Sequence, residues 1–558
     1  MTTAVDRGPL PGGEAYLARR VLDALLREDY GGLARRVVRD RTGVALALPG
    51  GRRVRLAPGG LFQDFVVDPS ESPRLSEALH TLRKIADPAD AAGVAAFADE
   101  CRRALRAQNL HERHRDEVLD RLTRRSPLGL AGYDALAAFL DHPVYPTARC
   151  RFGLSDADLR AYAPEFAPEF RLRWAAVPAE RVTHGPASRR DEPWWPSFAD
   201  VGLPAGLARS HTLFPVHPLT VAAVRDMPGV RIGDVEHLAV RPTLSMRTVE
   251  IVGLGESGAA SPERASSEAG PIHLKLPLTT STLGLRNRRS IKPFTLDDGA
   301  AAERLLRAIL SREPLPVELA DEQTYAHADH EYLGWMLRRH PPGEIVSVAA
   351  LPAPFPGSGR VIDEVAARHH GGDVAALLHE YLTVLLTWNV RLFVRYGVAL
   401  EAHQQNLALV LGRGPLRLLI KDNDGLLASP SALRAAGLGP PPPFRDERML
   451  TDDPHALADV FVTITLHLAA AAIAFGVAGR QGLRLVREIL AAALDEHGDH
   501  PMARLLRART LDAARLSGKS MVTAGTLVDK SRTGARDVNK FYGTSGPNYL
   551  RHPPSATP

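Results

Sequence analysis

The stretch Glu401 to Gly425, EAHQQNLALVLGRGPLRLLIKDNDG, constrains this chain more than any other. Two apolar runs of β-type residues, LALVL and LRLLI, are joined by Gly-Arg-Gly-Pro, a composition that reads as a hairpin with a short turn. Five polar residues, Glu401, His403, Gln404, Gln405 and Asn406, open the stretch, and Lys421, Asp422 and Asp424 close it. Pairing the strands brings Glu401, His403 and Asn406 near Asp422 and Asp424, although about twenty residues separate them. Burying such groups is costly unless they bind something. An amide oxygen and carboxylates gathered at one hairpin end suit Mg²⁺, which takes hard oxygen ligands and leaves other positions to the phosphates of a nucleotide. Protein kinases place an Asn and an Asp-x-Gly on either side of a hairpin by the same logic. The alternative is a buried polar turn with two solvated aspartates.

Cations collect in two other places. In DHPVYPTARCRFGLS, two X-Pro steps force an extended path that presents His142, Arg149 and Arg151 on a rigid turn suited to an anion. VRPTLSMRTVEIVGL reads as one strand with Ser245, Arg247 and Thr248 at its polar centre, Ser245 and Arg247 on one face. The small, polar run from Gly253 to Gly270 reads as a flexible excursion. PIHLKLPL then returns as a paired strand, so Lys275 is expected across from Arg247. Thr282, Arg286, Arg288, Arg289 and Lys292 follow, with Arg288 and Arg289 unable to face one pocket from an extended strand. Guanidinium pairs bidentately with phosphate or carboxylate, and lysine acts as a compact charge. Only seven of the 69 basic residues are lysines, Lys275, Lys421 and Lys519 among them, a weak sign that a point charge matters there. A glycine-rich phosphate loop is absent, and no aromatic residue lies between Ile272 and Pro293 to serve a nucleic-acid groove.

With 558 residues, 45% of them hydrophobic, two or three domains are expected. The boundaries read as a mainly helical region 1–195, a β-rich region 196–360 and a mainly helical region 361–558. Within them, helical periodicity covers 14–40, 74–140, 301–340, 361–396 and 453–515. VALALPGGRRVRL reads as a hairpin, DADLRAY as a capped helix, RLRWAAV as a strand, 184–210 as a connection, 341–357 as a Pro-rich linker, and the final PPSATP as disordered. His217 reads as a structural histidine. Cys101 and Cys150 make no disulfide framework and have no zinc-ligand spacing, which fits a reducing cytoplasm. The N-terminal residues lack the pattern of an export signal. The most apolar segment, Leu466 to Val477, is short for a bilayer span and contains His467, so a buried helix is expected. A net charge of +5 with scattered basic residues does not argue for nucleic acid.

These pieces, in order, resemble the IucA/IucC family of NRPS-independent siderophore synthetases. HP-x-YP-xx-R-x-R-x-G followed by YAPEF is similar to the family's HP-x-HP-xx-K-x-R-x-G segment. SMRT resembles S-x-RT, KLPL with Thr282 and Arg286 resembles KL…T-x3-R, and EAHQQN with KDNDG resembles E-x-H-x-QN and RD-x-x-G. Tyr145, Arg149 and Lys421 depart from the family pattern, and the Lys275 to Arg286 spacing is one residue short.

The resemblance implies an α+β, three-part cradle: a helical N-terminal region, a central β-rich region, and a C-terminal helical region containing a kinase-like hairpin. It implies an ATP-dependent ligase that adenylates a carboxylate, typically citrate, and joins it to an amine or hydroxyl of a siderophore precursor, releasing AMP and pyrophosphate. Neither nucleic acid nor membrane is an expected partner, and a homodimer is allowed. By the same resemblance His142, Ser245, Arg247, Thr248, Lys275 and Asn406 hold ATP, and Glu401, Asn406, Asp422 and Asp424 are the candidates for Mg²⁺. Thr282, Arg286, His403 and Arg149 hold the carboxylate, with Arg286, His403 and Lys275 in catalytic roles. A small-molecule kinase and a non-catalytic nucleotide-binding module are the alternatives. The C-terminal region of the family is also likened to a ferric-siderophore reductase, whose iron–sulfur cluster needs four cysteines; this chain has two, both before residue 151.

Overall fold

The computed structural model describes residues 13–551 apart from 42, 126, 188–191, 254–269, 358, 413 and 535–540. Both the excursion expected at 253–270, apart from its two ends, and the terminal PPSATP lie outside the described residues.

The first helix, Glu14–Arg27, buries Leu17, Val21, Leu22 and Leu25 on one stripe. Helical periodicity was expected to run on to residue 40, but Asp29, Gly31 and Gly32 take positive φ, which ends the helix. The β-branched pair after them opens β1, Val37–Asp40. With β2 (Gly43–Ala47), β3 (Arg53–Pro58) and β4 (Phe65–Val67) it forms an antiparallel meander that contains the expected hairpin. Helices Leu75–Ile85, Ala91–Arg124 and Gly129–Ala137 follow. Ser155 and Asp158 close a reciprocal capping box on the expected short helix, Asp156–Tyr162.

The central layer is a nine-stranded sheet. Its first members are β5 (Phe170–Pro178), β6 (Thr183–His184), β7 (His211–Val216), β8 (Arg231–Ile232), β9 (His237–Pro242), β10 (Thr248–Ile251) and β11 (Ile272–Lys275). After the helix Pro293–Leu310 and a short β12 (Val317–Leu319) come its last two, β13 (Asp321–His327) and β14 (Gly334–Arg339). The order is β6-β13-β14-β11-β10-β9-β5-β7, with β8 paired to β5. Residues 301–340 were expected to be helical. Pro314 and Pro316 stop that pattern, and the alternating residues beyond them become strands. Trp195 packs edge-to-face on Trp174 and at a tilt against Trp335 in this layer, with ring centroids 5.0 and 4.8 Å apart. Fully burying a large apolar side chain contributes roughly 1.5–3 kcal/mol, so these rings tie the sheet to the 192–198 connection.

A second sheet carries the hairpin. Its order is β12-β18-β17-β15, with β15 Glu344–Ser347, β17 Leu407–Leu411 and β18 Arg417–Ile420. Thus the expected Pro-rich linker 341–357 contributes an edge strand. β17 and β18 pair antiparallel with Leu407 opposite Ile420, as the sequence predicts. All five residues of β17 are buried: Leu407, Leu409 and Leu411 join the core made by helices Val361–His369 and Val374–Arg391 and the long apolar stretch Pro454–Asp495, while Ala408 and Val410 pack on the other face with Leu130, Ala320 and Ile345. That apolar stretch is 83% buried over its most hydrophobic window, so its hydrophobicity is used by the core. Two small pairs complete the strands: β16 (Val398–Ala399) with β19 (Leu427–Ala428), and β20 (Arg515–Gly518) with β21 (Thr544–Pro547). Val522 and Leu527, after β20, pack into the N-terminal core beside Phe97 and Tyr145.

Candidate active site

The hairpin end is built from the chain's own register. Beyond the last strand pair, the Lys421 amide donates to the Asn406 carbonyl at 3.0 Å, which keeps the two polar ends side by side. Asp422 adopts φ +66°, a conformation costly for a residue with a Cβ, and its amide donates to Glu322 Oε1 at 2.8 Å. A Cβ on Gly425 would lie 2.4 Å from Glu401 Oε2, so the glycine lets the Glu401 carboxylate lie against the KDNDG turn. Asn406 Nδ2 reaches the Glu401 carbonyl at 3.4 Å. Glu401, Asn406, Asp422 and Asp424 therefore share one end of the hairpin.

Lys275, at the end of β11, meets them from the central sheet. Its ammonium contacts Asp422 Oδ1 and lies 3.1 Å from Asp424 Oδ2, with the side chain only 3% exposed. Burial pushes the Asp422 carboxyl up, but Lys275, Arg338 and Arg247 outweigh it and hold the group well below the usual carboxylate range. Among the described residues no group of three or more His, Cys, Asp and Glu is placed to hold a metal. Two carboxylates converging on one cation is the geometry that does occur.

Two residues that sequence reading did not single out stand behind Asp422. Arg338 on β14 places Nε 2.5 Å from Glu322 Oε1 and one terminal nitrogen 3.5 Å from Asp422 Oδ1. A sequence signal existed: Arg338 lies two residues beyond Met336, the cross-strand partner of Lys275, and so shares its face once the pairing is known.

The SMRT segment is not one strand. Chain direction reverses between β9 and β10, with the Thr243 amide bonded to the Thr248 carbonyl and Met246 at φ +64°. Ser245 Oγ accepts from the Thr248 amide at 3.1 Å, and Arg247 donates to the Ser290 carbonyl at 3.0 Å. The register puts Lys275 opposite Thr248 rather than Arg247, and the Arg247 carbonyl accepts from the Leu276 amide. The one-residue difference comes from the turn, which an extended reading of the segment could not contain.

Of the neighbouring arginines, Arg288 is exposed and paired with Glu331 and Tyr332. Arg289 is turned inward onto Thr282 Oγ1, and burial, with Arg247 and Arg151 beside it, lowers its guanidinium to about 9. Arg286 donates to the Ala524 carbonyl at 3.1 Å. Arg149 differs from the expectation of a substrate-binding cation. Its guanidinium is engaged by Asp141 at 2.8 Å, His111 at 3.0 Å and the Phe139 carbonyl at 2.9 Å. The charge is consumed inside the N-terminal region.

His142 and His403 face the same space. Burial and then the charge of His403 lower His142 to about 3, and burial and then Lys519 lower His403 to about 4. His142 Nδ1 accepts from the amides of Val144 and Tyr145, so the imidazole also orders its own turn. His217 is wholly buried and caps a short turn through Nδ1, which accepts from the Leu219 amide, while its Nε2 has no hydrogen-bond partner among the described residues.

A C-terminal segment closes one side. Glu28 accepts from the amides of Val522 and Thr523 at 3.0 and 2.8 Å. Glu100, fully buried, gathers the hydroxyls of Tyr145, Thr147 and Thr526 at 2.8, 2.6 and 2.9 Å. Thr526 Oγ1 in turn accepts from the Leu285 amide at 3.1 Å. One hydroxyl thereby links the N-terminal helices to the loop that bears Arg286 and Arg289.

Residues 131–353 match the IucA / IucC family, and residues 375–533 match the ferric iron reductase FhuF-like transporter family. No cysteine falls within 375–533, and Cys101 and Cys150 are both buried. Aerobactin synthase of Escherichia coli is 24% identical over 401 residues, covering 64% of this chain and 67% of that protein. The L-2,3-diaminopropanoate–citrate ligase of Staphylococcus aureus is 25% identical over 327 residues, 52% of this chain and about half, 53%, of that protein. The ATP-bound aerobactin synthetase IucA of Klebsiella pneumoniae shares the fold, with a TM-score of 0.67 at 17% identity over 96% of this chain and 99% of that one.

Proposed function

We propose that this chain, whose residues 131–353 belong to the IucA/IucC family, is an ATP-dependent ligase of siderophore biosynthesis acting on a carboxylate, citrate by preference. The observation that carries the reading is the meeting of Lys275 with Asp422 and Asp424 beside Arg247 and Arg289. It sets an acidic, cation-seeking hairpin against a cationic sheet edge, which is what a nucleotide triphosphate with its divalent ion requires.

In this reading a carboxylate oxygen attacks the α-phosphate of ATP, giving an acyl adenylate and pyrophosphate. An amine or hydroxyl then displaces AMP, forming an amide or ester and releasing one proton. Ser245, Arg247, Thr248, Lys275, His142 and Asn406 bind the nucleotide. Thr282, Arg286 and His403 bind the carboxylate, and Arg289, held by Thr282, adds a cation there. Buried cations that face growing negative charge are worth most where water is excluded. Glu401, Asn406 and Asp422, with Asp424 able to replace Asp422, would hold Mg²⁺. The ion supplies charge neutralisation on the phosphates when bound. The fit rests on two carboxylates that already converge on a single ammonium. Neutral His142 and His403 can donate or accept a hydrogen bond without adding charge. The three-part cradle, the likeness of the C-terminal hairpin to kinases, a cytoplasmic location and a homodimer belong to the same proposal.

Product analysis tests it. Pyrophosphate and AMP formed only with carboxylate present are expected. ADP with a phosphorylated acceptor would replace this reading by a kinase, and Mg·ATP binding without any turnover would replace it by a binding module.

A further inference from the structure

Arg20 and Arg27 lie seven residues apart on the first helix and so share one face of it. That face meets the turn bearing His142. Arg20 donates to the His142 carbonyl at 2.5 Å and to the Tyr145 carbonyl at 3.0 Å, and Arg27 donates to the Val144 carbonyl at 2.8 Å. Tyr16, one turn before Arg20, donates to Asp141 at 2.9 Å and accepts from Arg20 at 3.0 Å. One helix thus holds Asp141, His142, Val144 and Tyr145 together. The Arg20 and Arg27 side chains are only 17% and 8% exposed. Apolar residues packed in place of buried charges are often as stable or more so, so stability does not account for the two guanidiniums. Fixing the geometry of the turn does.

The same helix end holds a second element. Arg27 Nη2, the nitrogen that reaches Val144, also lies 3.3 Å from Glu28 Oε1. The Glu28 side chain, 1% exposed, accepts from the Val522 amide through Oε1 and from the amide and hydroxyl of Thr523 through Oε2, at 3.0, 2.8 and 2.8 Å. Thr523 opens the turn Thr523–Leu527, whose carbonyls hold Arg286: Gly525 accepts from the Arg286 amide at 3.2 Å and Ala524 from its guanidinium at 3.1 Å. Gly284 and Gly525 let the two backbones meet, since a Cβ on Gly284 would stand 3.0 Å from the Gly525 Cα. A continuous line of hydrogen-bonded groups therefore runs from the turn of His142 through Arg27, Glu28 and residues 522–525 to Arg286.

We propose that Arg27 and Glu28 are positioning residues: they fix the distance between the His142 turn, on the nucleotide side, and the Arg286 loop, on the carboxylate side, and thereby set the rate of adenylation. The inference rests on the ligase reading above and names, for that ligase, what aligns its two reactants. Attack of a carboxylate oxygen on the α-phosphate depends on close alignment, and a misplacement of about 1 Å costs about a hundredfold in rate. Neither Arg27 nor Glu28 has to touch a substrate for this. Loss of either shows in the rate at saturation, with each substrate alone bound as before.

The test uses the full chain. Arg27→Met deletes the bridge and keeps an unbranched apolar stem; Arg27→Lys restores part of it, because a single nitrogen makes both bonds. Glu28→Gln leaves one backbone amide facing an NH₂ group. Single-turnover release of pyrophosphate is followed at saturating Mg·ATP and carboxylate, and calorimetry gives the affinity for each substrate alone. Arg27→Met and Glu28→Gln are expected to slow the step about tenfold or more with both affinities within about threefold of the parent, and Arg27→Lys to recover most of the rate. Thr523→Val removes one bond at a half-buried position, so it decides the matter even if neither core variant folds: it should slow the step severalfold, and Thr523→Ser should restore it. Folded variants that keep the parent rate overturn the inference, and so does a loss that falls on the affinities instead of the rate. If the parent itself releases no pyrophosphate with any carboxylate, the ligase reading fails.

Discussion

Lys275 Nζ lies 3.1 Å from Asp424 Oδ2 and also contacts Asp422, so an ammonium from the central sheet stands between two carboxylates of the hairpin. The same ammonium is the proposed partner of a phosphate, and it cannot serve both at full strength. Lys275→Met should therefore lower turnover about a hundredfold or more, the usual cost of removing one aimed charge from a dry site. In the absence of ATP the same variant should bind Mn²⁺ more tightly than the parent, because the two carboxylates lose their cation. Spin counting of bound Mn²⁺ reads this directly, and weaker ion binding would show that Asp422 and Asp424 do not form a divalent site.

Arg149 and Arg289 should separate cleanly. Arg149 and Asp141 are 12% and 9% exposed, and removing one partner of a buried pair costs about 3–5 kcal/mol. Arg149→Ala should thus lower the denaturation midpoint strongly, with the carboxylate KM of the folded fraction near that of the parent. Arg289→Ala should raise that KM with a smaller loss of stability. A variant at Arg149 that stays stable and loses carboxylate affinity would return it to the substrate site.

Thr526 carries a donor bond to Glu100 and an acceptor bond from the Leu285 amide. Thr526→Val keeps the shape and deletes both, while Thr526→Ser keeps both. The valine variant should raise the carboxylate KM roughly tenfold through misplacement of the loop bearing Arg286 and Arg289, with ATP affinity less affected. The serine variant should restore it. Equal steady-state constants for the two variants would reduce this hydroxyl to a packing role.

Acid should destabilise the fold before it titrates ordinary carboxylates. Burial lowers His111, His142 and His217 to about 3, and His403 and His467 to about 4, against an ordinary value of about 6.5. The unfolded chain therefore binds more protons than the native one between those values, and stability falls as pH drops from about 6.5 toward 4. Asp23 and Glu250, raised to about 7 by burial, act in the opposite sense over the same window but are fewer. Chemical denaturation across pH 4–7 should show stability rising with pH, and a flat or falling profile would contradict the buried neutral imidazoles.

Much of this was legible in the residues themselves. The two apolar runs around Gly-Arg-Gly-Pro specify the β17–β18 hairpin, because a strand period and a turn composition are local properties. The polar ends of that hairpin, the capped helix at Ser155 and the buried apolar helix around His467 are local in the same way. What the residues could not state is which distant face each charge meets. Lys275 and Asp422 are 147 positions apart, and Glu100 and Thr526 are 426 apart. Such contacts follow from the packing of whole layers, and a single turn at Met246 moves the partner of Lys275 by one residue. Arg149 makes the point from the other side. It sits within the motif as a free cation would, yet Asp141, eight residues before it in the chain, and His111 from a long helix claim its donors once the N-terminal core closes. Periodicity and composition determined the elements and the chemistry at their ends; the tertiary structure decided which charges remain available, because burial leaves a polar group only the partners that packing brings to it.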